Sequence, residues 1–367
     1  MNSTVERSSL LKTLLRTTRI VDKRNTIPIL NNVLLVAKDS VLRLKATDLD
    51  MEITDALPCD IQLDGAITLP AGLFTDIVKK LPAGSQIKIV TADDGASVTI
   101  TAGKSRFKLQ VLPASDFPDI TIGAFSHTFA LPASDLKRLL TKTQFAISTE
   151  ETRYYLNGVF FHTFEGNLLA CGTDGHKLSL AWQHMPDGSD GMPGVIVPRR
   201  AIGELVKLVE EGNVGVEMSD AKVRFTFDDG LVLTTKLIDG TFPDYQRVIP
   251  KGNDKTLTVE RLVLAGAADC VSTISSERGR GVKVELSDGE MTLTVSSPDA
   301  GVATEALSVI YADDPLEIGF NSKYLAEALT VIEGDQVIVK LADPGSPALL
   351  NGSGDADSLI VIMPMRV

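Results

Sequence analysis

The sequence predicts an α+β protein made of three copies of one layered domain, and three observations carry that reading. An alternating strand ending at a Ser/Thr-rich corner with an Asp appears three times, as "LRLKATDLDMEI", "LLACGTDGHKLSL" and "MTLTVSSPDAGVA". Asp48, Asp174 and Asp299 fall in these corners at intervals of 126 and 125 residues. Each corner is flanked upstream and downstream by a helical stretch introduced by a short strand, so the repeat covers a whole domain.

The upstream helices lie in "STVERSSLLKTLLRTTRI", "HTFALPASDLKRLLTKTQFAIS" and "LTVERLVLAGAADCVSTIS", where apolar residues recur at helical spacing. Downstream, "AITLPAGLFTDIVKKLPAG", "GVIVPRRAIGELVKLVEEG" and "EIGFNSKYLAEALTVIEGD" each read as strand, helix start, amphipathic helix and Gly turn. Alternating strands such as "QIKIV", "GVEMS" and "QVIVK" follow. The first two repeats close with "SDFPDI" and "GTFPDY", placing Phe117 and Phe242 125 residues apart. Two helices against alternating strands give helices on one face of antiparallel sheet and strands on the other. The domains are expected at 1–125, 126–253 and 254–367, a count that 367 residues accommodate at roughly 150 per domain.

Composition excludes several classes. Glu6, Arg7, Lys12 and Arg16 interrupt any apolar export segment, and no apolar run approaches a membrane span, so a cytoplasmic protein is expected. Cys59, Cys171 and Cys270 are isolated, which predicts small buried apolar residues and neither a disulfide framework nor a metal pair. His127, His162, His176 and His184 show no metal-binding spacing, and "ERGRGVK" is not a phosphate-binding loop. No cofactor is expected. Asp174 and His176 in "GTDGHKL" could be read as an acid/base pair, but Asp-Gly is first a turn signal and no nucleophile accompanies it. The Gly/Asp-rich "NGSGDADS" reads as a mobile loop.

A net charge of −12 opposes a protein coated with nucleic-acid-binding surface, yet the cations cluster. Arg7, Lys12, Arg16, Arg19, Lys23 and Arg24 mark the first helix and the loop after it, and Lys137, Arg138 and Lys142 mark its counterpart. Second helices add Lys79, Lys80, Arg199, Arg200 and Lys207. Third-repeat cations are fewer: Lys323, Arg278, Arg280 and Lys283. Like charge on equivalent helices suggests one shared surface that contacts phosphates without reading bases, although solvated helix faces would look the same. "TRYYLNG" adds Tyr154 and Tyr155 beside Arg153, an aromatic and cationic concentration suited to an interface.

Together, "TRYYLNG", "TDGHKL", "GTFPDYQRVIP", "IGFNSKYL" and "IVIMPMRV", in order along the whole chain, resemble the bacterial DNA polymerase III beta subunits, the sliding clamps. The resemblance implies a non-catalytic processivity factor. Its subunits would form a head-to-tail homodimeric ring that encircles duplex DNA, helices inside and sheets outside, and tethers the replicative polymerase. It implies DNA-facing roles for Arg24, Lys137, Arg138, Tyr154, Arg199 and Arg200. It also implies an interface in which Phe107 and Leu109 pack near Ile274 of the partner subunit, with Arg106 facing Glu305 of the partner subunit.

The same resemblance implies a groove for short peptides of polymerases, the clamp loader, and repair and mismatch-repair proteins. Its residues would be Arg153, Tyr155, Leu156, Thr173, Gly175, His176, Lys177, Leu178, Pro243, Arg247, Val248, Asn321, Tyr324, Val361, Met363, Pro364, Met365 and Arg366. Adaptable Met side chains suit varied apolar partners, and Pro364 stiffens the chain's exit, which is left open with no tail to occlude it. Gly72 or Leu73, Lys177 and Val367 depart from residues common in the family. A one-sided DNA-binding protein or a peptide-binding adaptor is the alternative.

Overall fold

The computed structural model describes residues 1–22, 25–120, 123–275 and 281–367. The first repeat runs β1 (Asn2–Glu6), α1 (Arg7–Thr17), β2 (Asn32–Lys38), β3 (Val41–Thr47), β4 (Met51–Pro58), β5 (Asp60–Leu63), β6 (Gly65–Pro70), α2 (Ala71–Lys80), β7 (Gln86–Thr91), β8 (Ser97–Ala102) and β9 (Ser105–Gln110). The second runs β10 (His127–Pro132), α3 (Ala133–Gln144), β11 (Gly158–Phe164), β12 (Asn167–Thr173), β13 (Lys177–His184), β14 (Val195–Pro198), α4 (Arg199–Leu208), β15 (Asn213–Met218), β16 (Lys222–Phe227) and β17 (Val232–Lys236). The third runs β18 (Lys255–Glu260), α5 (Arg261–Ser272), β19 (Gly281–Ser287), β20 (Glu290–Ser297), β21 (Gly301–Ser308), β22 (Leu316–Asn321), α6 (Ser322–Val331), β23 (Gln336–Leu341), β24 (Ala348–Gly352) and β25 (Ser358–Ile362). No described helix is long and apolar enough to cross a membrane.

Side-chain packing repeats along with the elements. The first helix of each repeat buries the same four positions: Leu10, Thr13, Leu14 and Thr17, then Leu136, Leu139, Leu140 and Thr143, then Leu264, Ala267, Ala268 and Val271. That i, i+3, i+4, i+7 stripe is the face a helix turns to a sheet. Each buried leucine contributes about 1.5–3 kcal/mol by leaving water. Local signals agree with the packing. Glu6 caps α1 by accepting the Ser9 N–H at 2.8 Å, hydrogen bonds that hold its carboxyl at about 2, and Asn321 caps α6 through the Lys323 N–H at 3.0 Å.

Two compact bodies result. One comprises 1–136, 186–189 and 203–237, and the other 137–185, 190–202 and 238–367. Each contains an eight-stranded sheet shared by consecutive repeats. In the first body the order is β10-β15-β16-β17-β4-β3-β2-β6, and in the second β14-β11-β12-β13-β25-β24-β23-β18. The joints follow one rule: the last strand of a repeat pairs antiparallel with the third long strand of the repeat before it. Leu233 of β17 sits opposite Ile53 of β4, and Ile360 of β25 opposite Ser179 of β13. Two smaller sheets remain, β5-β1-β7-β8-β9 in the first body and β21-β20-β19-β22 in the second. They end on β9 and β21, the last strand of the first repeat and the third long strand of the third.

Burial corrects several readings. Lys142 is not a surface cation: it is buried, ion-paired with the buried Asp355, and donates to the Val331 carbonyl at 2.6 Å. Asp355 belongs to the Gly/Asp-rich loop expected to be mobile, and that ion pair pins it. Cys59 and Cys171 are buried as expected, but Cys270 is exposed.

Candidate partner groove and basic surface

In the second body the corner of "GTDGHKL" is built by its own side chains. Asp174 Oδ1 accepts the N–H groups of His176 and Lys177, each at 2.9 Å, and the Thr173 hydroxyl donates to the Lys177 carbonyl at 2.7 Å. Gly175 sits at φ +88°, and a Cβ there would meet Arg153 Nη1 at 2.6 Å. The left-handed backbone favours glycine, whereas the guanidinium, at the end of a flexible side chain, would have only to shift. Asp48 makes the same turn in the first repeat, accepting from Asp50 and Met51 at 3.0 and 2.7 Å, which accounts for the recurrence of Asp48 and Asp174.

The turn presents a polar rim. Lys177, buried, bonds Asp174 at 2.8 Å and Glu327 at 3.3 Å while its ammonium lies 4.1 Å above the Tyr324 ring. His176 stacks on the same ring, centroids 6.4 Å apart. Arg153 is held by Glu150 through Nε at 2.9 Å and Nη2 at 2.7 Å. Glu150, Asp174, His176, Lys177, Tyr324, Glu327 and Asn321 border a cleft of about 380 Å³ that also takes in Ser148, Arg199 and Lys323. Asp174 is committed to the turn and the Lys177 bond, so the geometry offers no acid/base pair. Among the described residues no group of three or more His, Cys, Asp or Glu could hold a metal ion.

Beside the rim lies an apolar floor. Leu156, Leu178 and Val361 are buried in one cluster with Phe242 and Tyr245, and Tyr155 packs on its margin. Pairing of β13 with β25 sets Leu178 opposite Val361. Pro243, Arg247 and Val248, in the segment that carries Phe242 and Tyr245, are exposed, as are Met363 and Met365, which follow Val361. The chain after β25 is fastened along the groove: the Met363 N–H donates to the His176 carbonyl and the Met365 N–H to the Gly319 carbonyl, both at 2.9 Å. A Cβ on Gly319 would come within 2.4 Å of the Met365 carbonyl oxygen. Pro364, Met365 and Arg366 border a second hollow of about 570 Å³ with Ile318, Gly319 and Pro344. The predicted residues thus divide into rim, floor and mouth. Those missed by sequence reasoning are Phe242 and Tyr245, inside the quoted "GTFPDY", and Glu150 and Glu327, acids for which no motif gave a signal.

The expected basic residues divide as well. Lys137, Tyr154, Arg199 and Arg200 are exposed. Arg138 is half-buried and its Nη2 donates to the Trp182 carbonyl at 2.7 Å, so its guanidinium is partly committed within the fold. Arg24 lies outside the described residues, as do Lys23, Arg278 and Arg280. In the first body Arg16 bonds Asp229 at 2.7 Å, Arg19 bonds Glu204 at 2.5 Å and Arg7 bonds the Val78 and Lys79 carbonyls. These three are anchors, because acids or carbonyls from elsewhere in the fold meet them; the basic stretch of sequence overstates the basic surface.

At the sheet edges, β9 alternates: Arg106 and Lys108 are exposed, and Phe107 and Leu109 pack on the first core. On β21, Glu305 is half-buried and hydrogen-bonds Cys270, whose thiol it pushes up. Ile274 packs against the third-repeat core.

Three repeats of two helices and antiparallel sheet, joined strand to strand, define a DNA clamp fold. Family models of the DNA polymerase III beta subunit match in sequence order: the N-terminal domain over residues 1–121, the central domain over 130–244 and the C-terminal domain over 246–366. The beta sliding clamp of Caulobacter vibrioides is 47% identical and that of Pseudomonas putida 39%, each match covering 100% of both chains. The crystal structure of a Bartonella birtlesii DnaN sliding clamp bound to griselimycin superposes with a TM-score of 0.97 at 48% identity, over 100% of both chains. A Pseudomonas aeruginosa sliding clamp gives 0.96 at 38%, again over 100% of both. The chain belongs to the DNA polymerase III beta subunit family, the bacterial beta sliding clamps.

Proposed function

We propose that this chain is a non-catalytic DNA sliding clamp: a cytoplasmic homodimeric ring that encircles duplex DNA and tethers the replicative polymerase and other partners. Domains at 1–125, 126–253 and 254–367 would supply six similar units per ring. The observation that carries the reading is the joint rule. Both internal joints pair a last strand with the third long strand of the preceding repeat, and β9 and β21 are the two strands that the rule leaves over. Two copies arranged head to tail satisfy it twice, and a heterologous contact that closes makes a ring.

The internal registers, transferred to that joint, set Phe107 opposite Ala303 of the partner subunit and Arg106 opposite Thr304 of the partner subunit. Glu305 of the partner subunit then falls opposite Ser105, on the face that Phe107 shares, and next to the turn that carries Lys104. Lys104 therefore replaces Arg106 as its cation. Ile274 of the partner subunit lies on the helix-packed side with Phe107 and Leu109.

Lys137, Arg199, Arg200, Tyr154 and Arg24 form the DNA-facing surface, with Arg138, partly committed within the fold, secondary. Contacts of this type are sequence-blind and salt-sensitive, which suits sliding. Partner peptides enter the groove, apolar side chains passing the Pro243–Val248 and Met363–Met365 walls toward Leu156, Leu178 and Val361, polar groups meeting Arg153, His176 and Asn321. Griselimycin, bound by the Bartonella clamp, should occupy the same groove. Calorimetric titration with griselimycin tests this: Met363→Glu should weaken binding at least tenfold without dissociating the dimer. Equal affinity of the variant and the parent chain would exclude the groove.

A further inference from the structure

Beneath the mouth of the groove, His162, which is outside the residues assigned to it, forms a part-buried polar contact with Tyr245 of the floor cluster. The Tyr245 hydroxyl lies 3.0 Å from His162 Nε2, the rings meeting edge-on at 80°. Phe160 lies 4.7 Å from the imidazole, and Phe242 stacks on Phe160 at 4.8 Å. Tyr245 is 5% exposed, yet it opens the single turn Tyr245–Val248, whose Arg247 and Val248 stand in solvent at the mouth. That turn has no side-chain cap, so its interior polar fastening is the phenol. We propose that His162 is a positioning residue for the partner groove: its neutral imidazole accepts the Tyr245 hydroxyl and holds the 243–248 wall in place, and protonation of His162 releases that wall. The inference rests on the reading of the groove as the partner site.

Burial pushes the Tyr245 phenol well above its ordinary range, with Cys171 and Asp244 acting the same way, so the phenol keeps its proton and has one to donate to an unprotonated Nε2. Burial pushes His162 below the ordinary histidine value, against a hydrogen bond to the Leu169 backbone on β12, and no charged side chain bears on the ring. The titratable groups around the pair are Tyr245 itself, the buried Cys171 thiol and Asp244 in the turn. Protonation ends the acceptor role of Nε2, so the phenol must turn round to accept instead, and it places a charge in a part-buried aromatic site that penalises it. A base with a depressed folded-state pKa contributes its stability above the ordinary histidine value, and that contribution declines as pH falls through about 6.5 and below. The wall is thus held at neutral pH and released in acid.

The test compares griselimycin affinity of the intact clamp at pH 7.5 and 5.0 with that of His162→Gln, whose uncharged amide still accepts the phenol. His176, at the rim, is common to both proteins and cancels in the comparison. The parent chain should lose about tenfold more affinity across this range than His162→Gln, roughly one hydrogen bond in free energy. Tyr245→Phe should be weaker at pH 7.5 and show the flattened profile. Hydrogen exchange of the 243–248 amides at pH 5.0 should be faster in the parent chain than in His162→Gln. Equal pH dependence and equal exchange would overturn the positioning role. Absence of griselimycin binding at pH 7.5 would instead count against the groove, leaving hydrogen exchange to judge His162.

Discussion

Arg16 and Lys142 are the same residue of successive repeats, the tenth of α1 and of α3, and each reaches an acid in the last hairpin turn of the following repeat. Arg16 takes Asp229 at 2.7 Å, and Lys142 takes Asp355. Each strand joint is therefore accompanied by an ion pair from the neighbouring helix. The two pairs differ in setting: Asp229 is half-exposed, whereas Lys142 and Asp355 are both buried.

Removing one partner of the buried pair leaves an uncompensated charge. Lys142→Met is expected to lower unfolding free energy by about 3–5 kcal/mol, and Lys142→Met with Asp355→Leu should recover much of the loss. Urea unfolding of the single and double variants measures this. Additive losses would show that the pair is not coupled.

The Arg16–Asp229 pair predicts an acid limb. The hydrogen bond from Arg16 lowers the Asp229 carboxyl, and although burial opposes them, Arg19 and Lys207 lower Glu204. A depressed carboxyl contributes stability above its ordinary pKa and loses it as pH falls through the folded value. Asp229→Asn should therefore be less stable than the parent chain at pH 7, with the gap closing below about pH 4. Urea midpoints at pH 7 and 3 check the sign. A gap that persists at pH 3 would assign the loss to packing.

The tenth residue of α5 is Cys270, which carries no cation and hydrogen-bonds Glu305. At the proposed joint between subunits the charge would accordingly be inverted, the acid on the third repeat and the cation, Lys104, in the hairpin turn of the first. Lys104→Glu should raise the dimer dissociation constant by about tenfold, and Lys104→Glu with Glu305→Lys should restore it, as sedimentation velocity would show. Arg106→Glu should do less. A larger effect at Arg106 would contradict the transferred register.

Much of this was legible in the sequence because the repeat is written at two periods at once. The buried stripe Leu10, Thr13, Leu14 and Thr17 recurs in all three first helices, and Asp48 and Asp174 recur because each closes the same turn. What stayed hidden depends on which residues meet across the fold. Lys142 and Asp355 lie 213 residues apart, and a lysine in an amphipathic helix beside a Gly/Asp loop reads as two solvated features. Arg16 and Arg19 looked like phosphate ligands for the same reason. In the groove, the motifs marked rim, floor and mouth alike, but burial alone separates Leu178 and Val361 from the exposed Val248 and Met363.

The basic surface makes a prediction of its own. Lys137→Glu with Arg200→Glu should reduce DNA retention by a factor that shrinks as salt rises, while griselimycin affinity stays unchanged. Polymerase-independent retention assays at low and high salt distinguish this from a folding defect, which would impair both.

Encirclement is tested most directly on DNA with and without ends. The clamp is loaded by its cognate loader onto a nicked circular plasmid, separated by gel filtration, and compared with a sample cut once by a restriction enzyme. Retention on the circle and loss after cutting is the predicted result. Equal retention on both would mean that Lys137, Arg199 and Arg200 hold DNA from one side, and that β9 and β21 do not close a ring.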